Sequence, residues 1–435
     1  MGNRYDKYKD SGIAWIGEIP EHWEVAKIKS FYNVILGKMV ERNNDSNTGD
    51  ENYLCAANIK WNGVDTEINK KMYFSDIEKE KYLLQYNDVL IMEGGMAGTA
   101  CLYKNEFSPC YVQNSVNVCR AKKDFNNKFL YYWMYVPYYN GYIDAICNKA
   151  TIRHYTKEKV QNTPILISSL VEQQTIATYL DQKCGEIDEL ITLQEEMITK
   201  LQSYKQSVIT EAVTKGLDKN VPLKDSGIEW IGEIPEHWEV KRLKYFGNNY
   251  NGLTYSPNDI CSSQEGIIVL RSSNIKDNKL CFDDNVYVNK EIPTKLLVNK
   301  GDILICSRNG SASLIGKAAL IETDIKATFG AFMMIFRGNN ICHKYLYYIV
   351  TSCISQYKWL FTTATINQLT SSMLGEIFAP FICNKLEQQS IADYLNQKCS
   401  EIDKLISIKQ QKIEKLKEYK KSLIFECVTG KRKVS

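Results

Sequence analysis

Two stretches of this chain carry a periodic alternation of apolar and polar residues that the rest of it lacks. From Glu172 to Thr214 there is no proline. Apolar residues recur in two rows there, Leu180, Ile187, Leu201 and Val208 in one and Ile176, Leu190, Met197 and Tyr204 in the other. Spacings of three and four residues over that length predict a long helix with a seam for a partner helix. Gln194 interrupts the first row. From Glu387 onward the pattern returns with Leu395, Ile402, Leu416 and Leu423, and with Ile391, Leu405 and Tyr419; Lys409 stands where Gln194 stood. At 1.5 Å per residue, forty-odd residues make a rod of roughly 65 Å, too long for the inside of one small core. The pattern therefore pairs the two helices, Gln194 facing Lys409 as a polar register mark. An antiparallel arrangement is expected, with a pseudo-two-fold axis and one globular module at each end.

Elsewhere the chain alternates short apolar runs with Gly, Asn and Ser, the punctuation of strands and turns. Asp302-Ile303-Leu304-Ile305 and Phe332-Met333-Met334-Ile335-Phe336 predict strands, while 128–134 and 344–350 predict short buried helices.

The chain is also written twice. KDSGIAWIGEIPEHWEV, ending at Val25, returns as KDSGIEWIGEIPEHWEV, ending at Val240, so that Ser226 answers Ser11. EQQTIATYLDQKCGEIDELI from Glu172 returns as EQQSIADYLNQKCSEIDKLI from Glu387, at the same offset of 215 residues. A period of half the chain signals a duplicated domain rather than a solenoid. Between the matched ends, residues 32–150 and 247–363 share only a skeleton, such as Asn87-Asp88-Val89-Leu90-Ile91 against Gly301-Asp302-Ile303-Leu304-Ile305. Like scaffolds with unlike surfaces suit two modules that recognise different things. The predicted division is 1–165, a first α/β module; 166–216, a long helix; 217–380, a second α/β module; and 381–435, a second long helix. The fold class is α+β.

Composition adds little. Of 435 residues, 44% are hydrophobic and 24% charged, with a net charge of +3, which neither demands nor excludes nucleic acid. The polar start MGNRYDKYKDSG and the absence of a long apolar run predict a cytoplasmic protein. Fourteen cysteines without a C-x-x-C pair, beside four histidines, predict buried reduced thiols and no metal site. No Asn/Asp-Pro-Pro-aromatic motif or Gly-Lys-Ser/Thr loop is present. Asp302 with Asp324 and Lys326 only loosely matches a nuclease metal pattern. No catalytic residue is expected.

The duplicated openings, the Pro-x-x-x-x-x-Leu-(x)-Glu-Gln-Gln-x-Ile-Ala-x-Tyr-Leu entries at 164–180 and 380–395, the bracketed residue being present only in the first, and the helix ends at 207–214 and 422–430 together resemble the specificity subunits of type I restriction-modification enzymes. The resemblance covers both halves. It implies two target-recognition domains, each binding half of a split double-stranded DNA site. The long helices serve as spacer and as docking surface for two methyltransferase subunits, which bind S-adenosylmethionine and methylate adenine. Restriction subunits that use ATP and Mg join that core, and the specificity chain itself holds no cofactor. An interaction scaffold without a DNA role is the alternative.

The divergent region carries no transferable base contact, so candidates rest on residue type. Side chains able to form paired hydrogen bonds with base edges are Arg, Lys, Asn and Gln above all. In the first module these candidates are Arg42, Asn43, Asn44, Lys60, Asn62, Arg153 and His154. In the second they are Tyr255, Arg271, Ser273, Asn274, Arg308, Asn309, Asn367 and Gln368. The Gly-rich loop 93–99 and the loop 307–313 each follow an apolar strand, where exposed amides would suit phosphate oxygens. The Trp15–Trp23 motif, near-identical in both copies, cannot read two different sequences, so it is expected to anchor the fold, with His22 and His237 packed on the tryptophans. Lys415, Lys417, Lys420 and Lys421 are expected on a solvated helix face.

Exchanging residues 32–150 for another module is expected to change one half-site of the DNA target and leave the other intact. Mapping methylated adenines in cells expressing the whole system checks this; a change in both halves contradicts modularity.

Overall fold

The computed structural model describes residues 4–39, 51–123, 125–147, 153–263, 265–361 and 367–434. The chain forms two compact units, Met1–Glu195 with Gln410–Ser435, and Glu196–Lys409. The long helices run Leu170–Lys215 and Lys385–Val428, so the division between units falls inside both of them. The units do not stop where the helices begin, because helix ends supply part of each core.

In the first unit a hairpin, Tyr8–Asp10 with Glu18–Pro20, leads to strand Glu24–Lys27, which pairs antiparallel with Pro164–Ile167. That pairing brings the entry of the first long helix back to the start of the chain. Beyond it lies an antiparallel sheet in the order Ala100–Leu102, Val89–Met92, Val116–Ala121, Tyr32–Leu36. Strand Val89–Met92 is buried throughout, and its alternate residues serve two cores. Val89 and Ile91 join the core of helix Asn127–Tyr139, while Leu90 and Met92 join a second core with Leu54, Ile59 and Val112. A continuous apolar run is what a strand covered on both faces requires.

The second unit repeats this order. A hairpin of Leu223–Asp225 with Glu233–Pro235 precedes the pair Glu239–Arg242 and Phe378–Phe381. The main sheet runs Gly247–Asn251, Met333–Gly338, Ile303–Cys306, Ala318–Leu320, against helix His343–Gln356. Ile303 and Ile305 face one core and Leu304 and Cys306 the other. The two internal helices are longer than the sequence pattern predicts, because later residues, Tyr135, Val136 and Pro137 in the first and Ser352, Cys353 and Ile354 in the second, are themselves buried.

The duplicated motifs touch one another. Glu172 accepts from Tyr5 Oη at 2.5 Å and lies 3.2 Å from His22 Nε2. Glu387 does the same work for Trp238 Nε1 at 2.9 Å and His237 at 3.1 Å. Gln173 and Gln388, both buried, bridge segments: each donates to a carbonyl before its helix, Ser168 or Ile382, and accepts from the amide of Asn126 or Cys342. Each long helix then ends at a glycine in the left-handed region, Gly216 (φ +74°) and Gly430 (φ +71°). A Cβ on Gly430 would lie 2.4 Å from Pro20, and one on Gly216 would lie 3.2 Å from Trp238. Trp23 and Trp238 are fully buried, so the Trp-His motif anchors the fold as expected.

Within the first unit, Ile176, Leu180, Cys184 and Ile187 share a core with Leu423, Ile424, Cys427 and Val428, and Lys420 Nζ binds Asp188 at 2.7 Å. Within the second, Val208, Ile209, Ala212 and Val213 share a core with Ile391, Ala392, Leu395 and Cys399, and Lys205 binds Asp403 at 2.7 Å. The helix segments are antiparallel in each unit, and the ion pair is made twice with the helices exchanging roles.

The seam differs from the predicted one in its second row. Leu180, Ile187, Val208, Leu395, Ile402 and Leu423 are buried and Leu201 and Leu416 half-buried, but Leu190 (42% exposed) and Leu405 (48%) face outward, with Met197, Tyr204 and Tyr419. The second row instead runs Cys184, Ile191, Ile198, Lys205, Ala212 and, in the other helix, Cys399, Ile406, Ile413, Lys420, Cys427, all buried or half-buried. Lysine is polar by composition, yet its stem can lie in a seam while its ammonium reaches a carboxylate. This removes Lys420 from the solvated face, and Lys421 packs over the Tyr139 ring at 4.4 Å. With Asp188 against Lys420, the antiparallel register sets Gln194 opposite residues near 414, not opposite Lys409.

All fourteen cysteines are free and ten are buried. Burial pushes the Cys427 thiol up to about 12 and Cys184 up to about 11, so both act as packing groups. No described helix is long and apolar enough to cross a membrane.

Among the described residues each unit has one buried acid, immediately before an inner strand of its main sheet. Asp88 takes a two-pronged bond from Arg120 (2.8 and 2.6 Å) and the amide of Gln85. Asp302 takes the same from Arg337 (2.8 and 2.7 Å) and the amide of Asn299. The hydrogen bond to Asp302 holds Arg337 above its usual pKa despite partial burial. Asp302 is thus committed to an arginine, which removes it from the nuclease pattern. Asp302→Ala strands a half-buried guanidinium, and a loss of about 3 kcal/mol is expected; the urea midpoint followed by circular dichroism measures it.

Candidate nucleic-acid interface

In the second unit four loops converge at one end of the main sheet. The first is the turn 271–274. The second follows strand Ile303–Cys306, where Ser307 Oγ donates to Phe332 O at 3.0 Å and Arg308 N donates to the same oxygen at 3.1 Å. The third is the turn 330–332 that supplies that oxygen. The fourth is 367–369, fixed by Leu369 N donating to Ser307 O at 2.8 Å. Asn309 Nδ2 reaches Ser272 Oγ at 3.2 Å and Arg308 Nη2 reaches Gln368 Oε1 at 2.5 Å. Tyr255 lies beside Gly330.

The structure therefore brings Tyr255, Arg271, Ser273, Arg308, Asn309, Asn367 and Gln368 to one region. Their states differ. Arg271 is held by Asp284 at 2.8 Å, Ser273 is exposed, and Asn367 is half-buried. Asn274 is fully buried. Its carboxamide accepts from Arg271 N at 2.9 Å and donates to Cys281 O at 3.0 Å and Asp284 O at 3.2 Å. It holds the turn and has no face left for a base. Asn58 does the same in the first unit, accepting from Cys55 N and donating to Asp65 O and Ile68 O. The repeated Asn-Ile-Lys triplets at 58–60 and 274–276 are the sequence signal that these two side chains are structural.

The first unit builds the same convergence. Glu93 N donates to Ser115 O at 2.9 Å, Tyr155 N donates to Glu93 O at 2.7 Å, and Ala56 N donates to Ser115 Oγ at 2.8 Å. Arg153 and His154 stand where Asn367 and Gln368 stand in the second unit. Arg153 is paired with Asp144 at 2.6 Å, and His154 lies 4.0 Å from Glu93. Burial raises the Glu93 carboxyl above its usual range, and His154 opposes that shift. Lys60 and Asn62 are exposed at the tip of the hairpin Ile59–Lys60 and Gly63–Val64. Trp61 between them packs on Tyr135, centroids 4.1 Å apart, which ties the tip to helix Asn127–Tyr139. Arg42, Asn43 and Asn44 lie outside the described residues.

Residue type alone missed several groups at these convergences. Ser272 and Ser115 bear no charge and follow no motif. Phe332, 62% exposed, reads as the first residue of a strand but precedes it. Among the described residues no cluster of three or more His, Cys, Asp or Glu side chains is placed to hold a metal ion.

Removing the Asn274 carboxamide with Asn274→Ala takes away the partner of the Arg271 amide and of Cys281 O, a cost of about 2–3 kcal/mol, whereas Ser273→Ala is expected to stay within about 0.5 kcal/mol. Thermal denaturation of both variants tests this assignment.

A family model described as the type I restriction modification DNA specificity domain matches residues 20–202 and again 235–418. The MjaVIII specificity subunit of Methanocaldococcus jannaschii is 25% identical over 434 residues, covering 96% of this chain and 94% of that relative. The EcoBI specificity subunit of Escherichia coli is 26% identical over 270 residues, covering 59% of this chain and 54% of its own length. A solved chain, described under complex assembly and conformational transition of the type I R-M system, superposes with a TM-score of 0.71 over 94% of this chain and 98% of that one. At 14% identity this shows a shared fold. With two copies of the domain spanning most of its length, the chain belongs to the type I restriction-modification DNA specificity family.

Proposed function

We propose that this chain reads a split, asymmetric DNA site for a type I restriction-modification assembly, each loop convergence addressing one half. The observation that carries the reading is the duplication itself. One framework is built twice, down to Asn58 and Asn274, Asp88 and Asp302, and Glu172 and Glu387, while the loops it supports present different side chains. The first unit offers Glu93, Arg153 and His154; the second offers Arg308, Asn309, Phe332 and Gln368. Fixed frames with different polar edges are what two base sequences require.

The chain performs no chemistry in this reading and binds no cofactor. Methyltransferase partners carry S-adenosylmethionine and methylate adenine, and restriction partners carry ATP and Mg, in the cytoplasm. The outward-facing apolar residues of the long helices, Leu190 and Leu193 in the first unit and Leu405 and Ile408 in the second, are 42–57% exposed. They suit docking of the methyltransferase subunits better than contact with water.

A gel shift with the methyltransferase subunits present tests the proposal. Release of counterions from several phosphates predicts that affinity falls by about 10³-fold or more between 50 and 200 mM salt. A complex that forms but retains no DNA at low salt supports the scaffold alternative instead.

A further inference from the structure

We propose that Arg308 contacts a guanine in the half-site addressed by the second unit, and that Gln368 is its positioning residue. The inference rests on the DNA-reading function above and names one base contact within it.

The described arginines of the second unit divide in two. Arg242 is paired with Glu376 at 3.0 Å, Arg271 with Asp284 at 2.8 Å and Arg337 with Asp302 at 2.7 Å. Each of these charges is neutralised within the fold. Arg308 is exposed, and its one side-chain partner among the described residues is the neutral oxygen of Gln368, 2.5 Å from Nη2. A guanidinium has five N–H donors; this contact uses one, and among the described residues no carboxylate pairs with the charge and no other acceptor takes the remaining donors.

The pair is also held in place. The Arg308 amide is bonded to Phe332 O, and Arg308 and Gln368 face each other across an antiparallel bridge. The Gln368 amide is bonded to Phe361 O at 3.2 Å, and the next residue is bonded to Ser307 O. A planar fork fixed at its base and steered at one tip loses little freedom on docking. Its natural complement on a base edge is the O6/N7 acceptor pair of guanine. The first unit has Gly94 and His154 at the corresponding positions, so this contact belongs to one half-site only.

An exposed arginine can also bind a phosphate, and the two roles separate experimentally. The test uses the full chain complexed with the methyltransferase subunits of its own system. Binding is measured to the selected site and to all its single-base-pair variants, over a range of salt. Arg308→Ala is expected to lose about 5- to 150-fold of discrimination at one G·C pair of one half-site, with the other half-site read as before. Gln368→Ala is expected to weaken discrimination at that same pair and no other. Uniform weakening across all sequences, with the salt slope reduced by about one, identifies a phosphate contact and overturns the proposal. Unchanged discrimination in both variants overturns it as well, while the DNA-reading function stands. A wild-type complex with no sequence preference overturns that function and this inference together. Circular dichroism of both variants confirms that an exposed pair has been removed without loss of fold.

Discussion

The structure depends on the closure of each core by helix ends that lie far apart in sequence. In the first unit, Leu423, Ile424, Cys427 and Val428 join a core whose other members come from residues 16–187. Nothing nearer in the chain supplies that surface, so the first module is completed by the last residues. Tyr8 Oη donates to Gly430 O, and Lys431 Nζ donates to Ile16 O and Glu18 O. In the second unit the corresponding surface, Val208 to Val213, immediately precedes the module it closes. One packing arrangement is thus reached by two chain routes, and an insertion in either long helix acts on cores at both of its ends.

That closure explains why the matched segments are matched. The hairpin with its Trp-His pair, the Glu-Gln-Gln entry and the glycine stop are parts of one contact set. Glu172 or Glu387 holds the hairpin, Gln173 or Gln388 ties the helix entry to the module, and Gly430 or Gly216 lets the helix end lie against proline and tryptophan. The loops at the far end of the sheet enter none of these contacts, which leaves their exposed side chains free to differ.

Much of this was legible in the sequence, for physical reasons. The 215-residue offset exposed the duplication, and the three-and-four spacing located both long helices. Strands buried on both faces stood out as unbroken apolar runs. The second seam row is hidden in the sequence because Lys205 and Lys420 count as polar and Leu190 and Leu405 as apolar, whereas the ion pairs with Asp403 and Asp188 draw the lysines into the seam. By residue type Asn274 reads as a base reader, but a buried carboxamide with three backbone partners is a structural element. Phe332 and Ser115 were invisible because a loop surface has no period. Its members are assembled from distant segments by backbone hydrogen bonds.

The most direct test of closure is hydrogen exchange on the full chain carrying Leu423→Ala, a core truncation expected to cost about 2–5 kcal/mol. Closure of the first core by this helix end predicts faster exchange throughout the first module, including Val89–Met92 and Asn127–Tyr139, although these segments lie nearly 300 residues or more upstream. Ile303–Cys306 and His343–Gln356 should keep their protection. Acceleration confined to the last turns of the second long helix would contradict the claim that this helix end completes the first core.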